Sequence, residues 1–157
     1  MLSIYNSLVG SHLSYGVLIW GSAKACVLNK LQVSQNKIIR TMNTSPITQN
    51  IAKQLRALQI MNIKELHEFE IAKFMYNMST ESLPEVFSDY VTPISHSYNT
   101  RHRLRSHYEL GTPKSDIGKS SVKFFGVKIW GDLGKDIQDA ASIDVFKNMY
   151  KKALFEQ

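Results

Sequence analysis

One cysteine, Cys26, stands among 157 residues. That excludes a disulfide framework and a cysteine-rich zinc site, and it suits a reducing intracellular compartment, nuclear or cytoplasmic, rather than a secreted protein. The four prolines, Pro46, Pro84, Pro93 and Pro113, all fall in polar stretches that read as turns. No charged residue occurs from Met1 to Ala23. No basic n-region precedes that run, which argues against a signal peptide, and Asn6, His12 and its serines argue against a membrane span. Phosphate-loop, His-Glu-x-x-His and Gly-x-Ser-x-Gly patterns are all missing. So is any adjacent Asp-Asp or Asp-Glu pair, which a polymerase needs to clamp two metal ions. Asp132 and Asp136 straddle Gly134 and read as solvated turn acids. No catalytic residue, metal site or cofactor is expected.

What is present reads as helix. In the uncharged run, Leu2, Tyr5, Leu8, Val9, His12 and Leu13 recur at three- and four-residue steps. With no charged face, that helix is expected to be buried, with later amphipathic helices packed around it. Leu28, Leu31, Gln35, Ile38 and Met42 mark a second helix, with Ser22 as its N-cap. Ile47, Ile51, Leu55 and Leu58 mark a third. Asn62 opens a fourth, and Glu65 three positions on completes a capping box. His67 on this helix reads as a partly exposed packing residue rather than a ligand. Pro84 suits the start of a short helix reaching about Tyr90. Ser121 and Ser142 are N-cap candidates for two closing helices. Gly126, inside the first of these, costs about 1 kcal/mol against Ala, so a close packing contact is expected there. Trp20 and Trp130 each end an apolar run and read as core. The fold class is therefore mainly α, a multi-helix bundle around a buried N-terminal helix, with a short basic β-hairpin or irregular loop near 91–120. The expected organisation is a helical bundle over 1–90, the basic loop or hairpin over 91–120, and helices over 121–157 packing back on the bundle.

The net charge of +6 is unevenly spread. Residues 1–90 hold 8 Lys/Arg against 6 Asp/Glu, whereas residues 91–128 hold 7 against 2, a local +5. A concentrated basic segment suits a polyanion, although such segments are also often merely solvated. Within it, Arg101, Arg103 and Arg105 alternate, so an extended strand would place them on one face with His107. Guanidinium groups grip phosphate oxygens bidentately, and Tyr98, His102 and Tyr108 stand close by to stack on unpaired bases. The bland alternative is that the tyrosines pack and the arginines are solvated or pair with acids such as Glu109. Lys114, Lys119 and Lys123 extend the candidate phosphate-binding set.

Four stretches resemble one family. Leu13-Ser14-Tyr15-Gly16-Val17-Leu18-Ile19-Trp20-Gly21 is similar to the Leu-Ser-Tyr-Gly-x-x-x-Trp-Gly element just after the polymerase core of LINE-type (non-LTR) retrotransposon reverse transcriptases. Leu28, Leu31, Gln35, Ile39 and Arg40 resemble the family's Leu-x-x-Leu-x-x-x-Gln-x-x-x-Ile-Arg helix. Tyr98-Asn99-Thr100-Arg101 resembles its Tyr-Asn-Thr-Arg element, and residues 118–154 its closing segment. There the family has an Asn after the Trp and then a Leu-Pro step, where this chain has Gly131 and Leu133-Gly134. The resemblance implies the post-palm, thumb-side part of an RNA-directed DNA polymerase from a jockey-like mobile element, lacking the catalytic acids. Its implied partners are RNA or DNA, held by the phosphate backbone, and the polymerase core of the parent enzyme, with no membrane. The alternative is a helical protein-interaction module or an inert remnant of a mobile element.

Overall fold

The computed structural model of the chain describes residues 1–43, 50–95 and 108–156. It is mainly helical, and the described residues form two compact units, Met1–Glu70 and Ile71–Gln157. None of the described helices is long and apolar enough to cross a membrane.

The first unit opens with α1 (Leu2–Ile4), a π-helical stretch (Tyr5–Gly10) and α2 (Ser11–Ser14). Helix α3 (Val17–Trp20) follows, then α4 (Ala25–Asn43) and α5 (Ile51–Ala57). The long helix α6 (Ile63–Ser79) supplies residues to both units. The opening helix is not buried as its lack of charge suggested. Leu2, Ile4 and Tyr15 are exposed, Leu8 is 63% exposed and Ile19 83%, while Tyr5 and Val17 are fully buried. Its surface is instead made self-sufficient by local bonding. The hydroxyls of Ser7, Ser11 and Ser14 donate to the carbonyls of Ile4, Ser7 and Ser11, and His12 Nδ1 donates to Leu8 O at 2.7 Å. Absence of charge removed one kind of surface without requiring that anything cover it.

The Leu13–Gly21 stretch is a turn rather than one continuous helix. Tyr15 is extended, with ψ 117°, and Gly16 is left-handed, with φ 64°, a conformation that a side chain disfavours. Trp20 closes this turn: its indole Nε1 donates to Tyr15 O at 2.8 Å. Trp20 is thus half-buried and polar-anchored, not a core residue as expected. Gly21 has a separate role. A Cβ there would lie 2.3 Å from His67 Cδ2 and 2.5 Å from Val17 O, so only glycine admits the imidazole. His67 is buried, further than its place on a helix edge suggested. Ser22 does not cap α4; its hydroxyl donates back to Ile19 O at 2.9 Å.

Tyr5, Ile39, Leu55 and Ile60 form the centre of this unit, with Val9, Ile38, Met42, Ile51 and Leu58 around them. Into it α4 places an amide. Gln35 is 2% exposed, and its Nε2 donates to Tyr5 Oη at 2.8 Å and to Met61 O at 2.9 Å. Its Oε1 accepts from Gln32 Nε2 at 2.8 Å, while Gln32 Oε1 accepts from Ile63 N at 2.8 Å. Both Gln35 N–H donors and its oxygen are therefore used. Where α6 begins, the capping box expected at Asn62 and Glu65 is formed: Glu65 N donates to Asn62 Oδ1 at 2.9 Å, and Asn62 N to Glu65 Oε2 at 3.0 Å. Arg56 adds an ion pair to Glu65 at 2.8 Å. Helix α5 ends on Gln59 at φ 53°, with Ile60 N reaching back to Leu55 O at 2.9 Å, a Schellman closure without its usual glycine.

The second unit packs the distal half of α6 against α8 (Val122–Asp132) and α10 (Ile143–Phe155), with α7 (Asp116–Ser120) and α9 (Lys135–Gln138) between connections. The close approach expected at Gly126 is present: a Cβ there would meet Met75 Sδ at 3.0 Å and Ile71 Cγ2 at 3.4 Å. Ser121 and Ser142 cap α8 and α10 by accepting from Phe124 N at 3.4 Å and Val145 N at 3.3 Å. Phe146 is fully buried between Tyr76, at 4.7 Å between ring centroids, and Trp130, at 6.2 Å. The Tyr76 hydroxyl leaves this apolar stack through a 2.7 Å bond to Ala140 O. Pro84 starts a 3-10 turn (Glu85–Phe87) rather than a longer helix, and Phe74, Phe87 and Tyr90 meet edge to face at 5.6–6.1 Å. Among the described residues of the 91–120 region an antiparallel bridge joins Pro93 and Tyr108, and Glu109 N donates to Thr92 O at 2.8 Å.

His67 ties stability to pH. Burial lowers its pKa from the ordinary 6.5, so the folded unit holds it neutral. The unfolded chain takes up the proton first as pH falls, so stability is full above the unfolded value. It is lost below that value, as pH descends through the lower folded one. Glu68 acts oppositely, since burial chiefly, with Glu65 adding and Lys64 opposing, raises its carboxyl. Comparison with His67→Gln separates the two. The melting temperature of the native chain is expected to drop more than the variant's between about pH 7.5 and 5.5; equal drops would refute this role.

Candidate nucleic-acid interface

Of the residues read as phosphate contacts, Tyr98, Arg101, Arg103 and Arg105 lie outside the described residues, as does His102. Lys114, Lys119 and Lys123 are described, and all three are exposed. They are positioned by two capped helix starts. Ser115 caps α7 by accepting from Gly118 N at 3.1 Å, which sets Lys114 just outside that helix and Lys119 in its last turn. Lys119 is engaged at its own helix surface, with Nζ 3.0 Å from Asp116 Oδ1. An exposed pair of this kind is weak and exchanges readily for another anion. Lys123 lies in the first turn of α8, after the Ser121 cap.

Lys123 is also the member of this set that borders a concave surface. A groove of about 370 Å³ runs beside it, lined by Thr92, Glu109, Leu110, Thr112, Ser121 and Phe124 among others. Gly118 helps to shape one end, for a Cβ there would sit 2.9 Å from Pro113 Cβ. The groove pairs one cation and several hydroxyls with the Phe124 ring, and Glu109 places a carboxylate at the same surface. Charge counting along the sequence did not reveal the groove. Ser121 was legible as a cap, but its place beside Phe124 on this surface depends on the α7–α8 turn. Tyr108, at the neighbouring bridge, is half-buried, and its phenol is pushed up by burial and further by Glu81.

Among the described residues no group of three or more His, Cys, Asp or Glu side chains is placed to hold a metal ion. Asp132 and Asp136 are both exposed. The free thiol of Cys26 is exposed near the start of α4.

No family model matches the chain, and no curated protein or solved structure matches it. The resemblance therefore rests on the sequence motifs alone. One departure from the family pattern is informative. Leu133 is extended at φ −73° and ψ 142°, and Gly134 has φ −62° and ψ 145°. That is the backbone of a Leu-Pro step: proline fixes φ near −65° and requires an extended predecessor. No atom lies within 4 Å of a Cβ built at Gly134. Its N–H makes no hydrogen bond among the described residues. Gly134→Pro is accordingly expected to stabilise the second unit by about 0.4–1 kcal/mol, by restricting the unfolded chain. Denaturant melts would read this, and a loss of stability would show that the turn is not of the Leu-Pro kind.

Proposed function

We propose that this chain corresponds to the post-palm, thumb-side region of a LINE-type reverse transcriptase, without polymerase chemistry of its own, and that it contributes to holding an RNA/DNA template–primer. The observation that carries this reading is the role of the residues shared with the family pattern. Gly16 turns the chain, Trp20 closes the turn, Gly21 admits His67, and Gln35 binds the first unit together. These are separate, non-interchangeable roles for residues that occur in the family's order. The Leu-Pro geometry at Leu133-Gly134 adds to it. The nucleic-acid part rests on the +5 segment at 91–128, with Arg101, Arg103 and Arg105 and the exposed Lys114, Lys119 and Lys123. Contacts of this type grip phosphates and read little sequence.

A second reading is favoured by one feature. The opening helices leave Ile4, Leu8, Tyr15 and Ile19 exposed, which suits a helical protein-interaction module. In the proposed role that face is available to the polymerase core of the parent enzyme. An inert remnant of a mobile element would bind neither partner.

Fluorescence anisotropy of a labelled RNA–DNA primer–template from about 50 to 200 mM salt tests the proposal. Binding is expected to weaken steeply with salt. Replacing Arg101, Arg103 and Arg105 by Ala is expected to weaken it further and to flatten the log–log salt slope by about 2–3, near 0.9 per lost phosphate contact. Unchanged affinity and slope in the triple variant would overturn the assignment of these residues. No binding at low salt would favour the interaction module or the inert remnant.

A further inference from the structure

Between Lys73 and Arg101 the chain has no Lys or Arg, yet it carries Glu81, Glu85 and Asp89. This is a stretch of charge −3 inside a protein of net +6. The fold gathers two of those acids around a cavity. A space of about 560 Å³ lies beyond the C-terminal end of α6, bordered by Glu81 and Glu85, by the aromatic rings of Phe87 and Tyr108, and by Leu83 and Val91. That volume lies within the range of small-molecule sites.

Among the described residues no Lys or Arg lines this cavity. Neither Glu81 nor Glu85 forms an ion pair among the described residues, whereas Glu65, Glu68, Asp116, Asp144 and Glu156 do. Helix α6 runs 17 residues and has no basic residue in its last turn, so its negative dipole end adds to the same sign. Glu81 is held at φ 52°, in the left-handed closure of α6, with Ser82 N donating to Asn77 O at 2.8 Å. The turn sets where the Glu81 side chain leaves the backbone at the rim. Tyr108 stays a neutral phenol, because burial and the nearby Glu81 both raise it. The apolar walls complete the chemistry: Phe87 is braced edge to face by Phe74 and Tyr90, which holds its ring in a fixed attitude.

We propose that this cavity is a binding site for an organic cation carried on an apolar body, with the ammonium or guanidinium group at Glu81 and Glu85 and the apolar part against Phe87, Leu83 and Val91. A simple anion is repelled by the two carboxylates, and a neutral apolar ligand leaves them unpaired. A cation near aromatic faces gains from the ring quadrupoles as well. Val91, Pro93 and Tyr108 of its lining belong to the 91–128 segment, but the proposal does not depend on the nucleic-acid reading.

The test uses 4-phenylbutylamine, with 4-phenylbutan-1-ol as its uncharged counterpart, titrated into the ¹⁵N-labelled full chain. Saturable amide shifts are expected at Met78–Val91 and Tyr108 for the amine. The alcohol is expected to bind about tenfold or more weakly, as loss of a charge-assisted hydrogen bond implies. The double variant Glu81→Gln/Glu85→Gln is expected to reduce amine affinity to the level of the alcohol. Either single variant serves if the double fails to fold, each losing part of the preference. No saturable shifts with the amine, equal affinity for the alcohol, or undiminished amine binding in the variants would overturn the site.

Discussion

A buried amide destabilises a fold when a donor or the acceptor is left without a partner, and the first unit is organised around avoiding that at Gln35. Its two N–H bonds reach the Tyr5 hydroxyl and the Met61 carbonyl, and its oxygen accepts from Gln32. Tyr5 comes from the opening helix, Gln35 from α4, and Met61 from the connection into α6. One side chain thus fixes the relative register of three chain segments. Leaving a buried partner unsatisfied costs about 1–3 kcal/mol, more than a typical hydrogen bond contributes when formed. The network therefore disfavours slipped packings more strongly than it favours the native one. Gln32 carries this constraint on to Ile63 N, at the start of α6, where the Asn62–Glu65 box satisfies further backbone donors.

The second unit relies on shape. Gly126 lets α8 come against Ile71 and Met75 of α6, and the Tyr76–Phe146–Trp130 stack fills the space beside that contact. Dispersion over such interlocked rings is sensitive to small displacements. The helix ends are accordingly tied by polar bonds. Gln138 Nε2 donates to the carbonyls of Trp130 and Leu133 at the end of α8, and the Tyr76 hydroxyl donates to Ala140 O. In this unit these polar bonds sit at helix ends and junctions, where backbone groups would otherwise lack partners.

What could be read from the residues was mostly local. The capping box at Asn62, the caps at Ser121 and Ser142 and the tight contact at Gly126 follow from rules spanning a few positions, and those rules hold here. Ser22 failed as a cap because its hydroxyl had a nearer acceptor in Ile19 O. Burial of the opening helix was the larger error. A segment without charge can remain exposed when its serines bond their own helix carbonyls, as at Ser7, Ser11 and Ser14. The contact between Gly21 and His67 joins positions 46 residues apart, beyond any periodicity argument. Of the candidate interface, charge located Lys114, Lys119 and Lys123, but it could not show that only Lys123 among these borders the groove. Nor did it mark the oppositely charged cavity at Glu81 and Glu85, where residues 78–93 fold into a concave wall that Tyr108 joins.

The account stands on the claim that Gln35 couples the opening helix to the rest of its unit. A double-mutant cycle with Tyr5→Phe and Gln35→Met, followed by denaturant unfolding, measures that coupling directly. Tyr5→Phe removes only the hydroxyl, while Gln35→Met keeps the side-chain length and removes both donors. The account predicts a coupling energy of about 1 kcal/mol or more, with the single variants together costing clearly more than the double. Additivity within about 0.3–0.5 kcal/mol would contradict it, because the two groups would then be neighbours without a shared constraint.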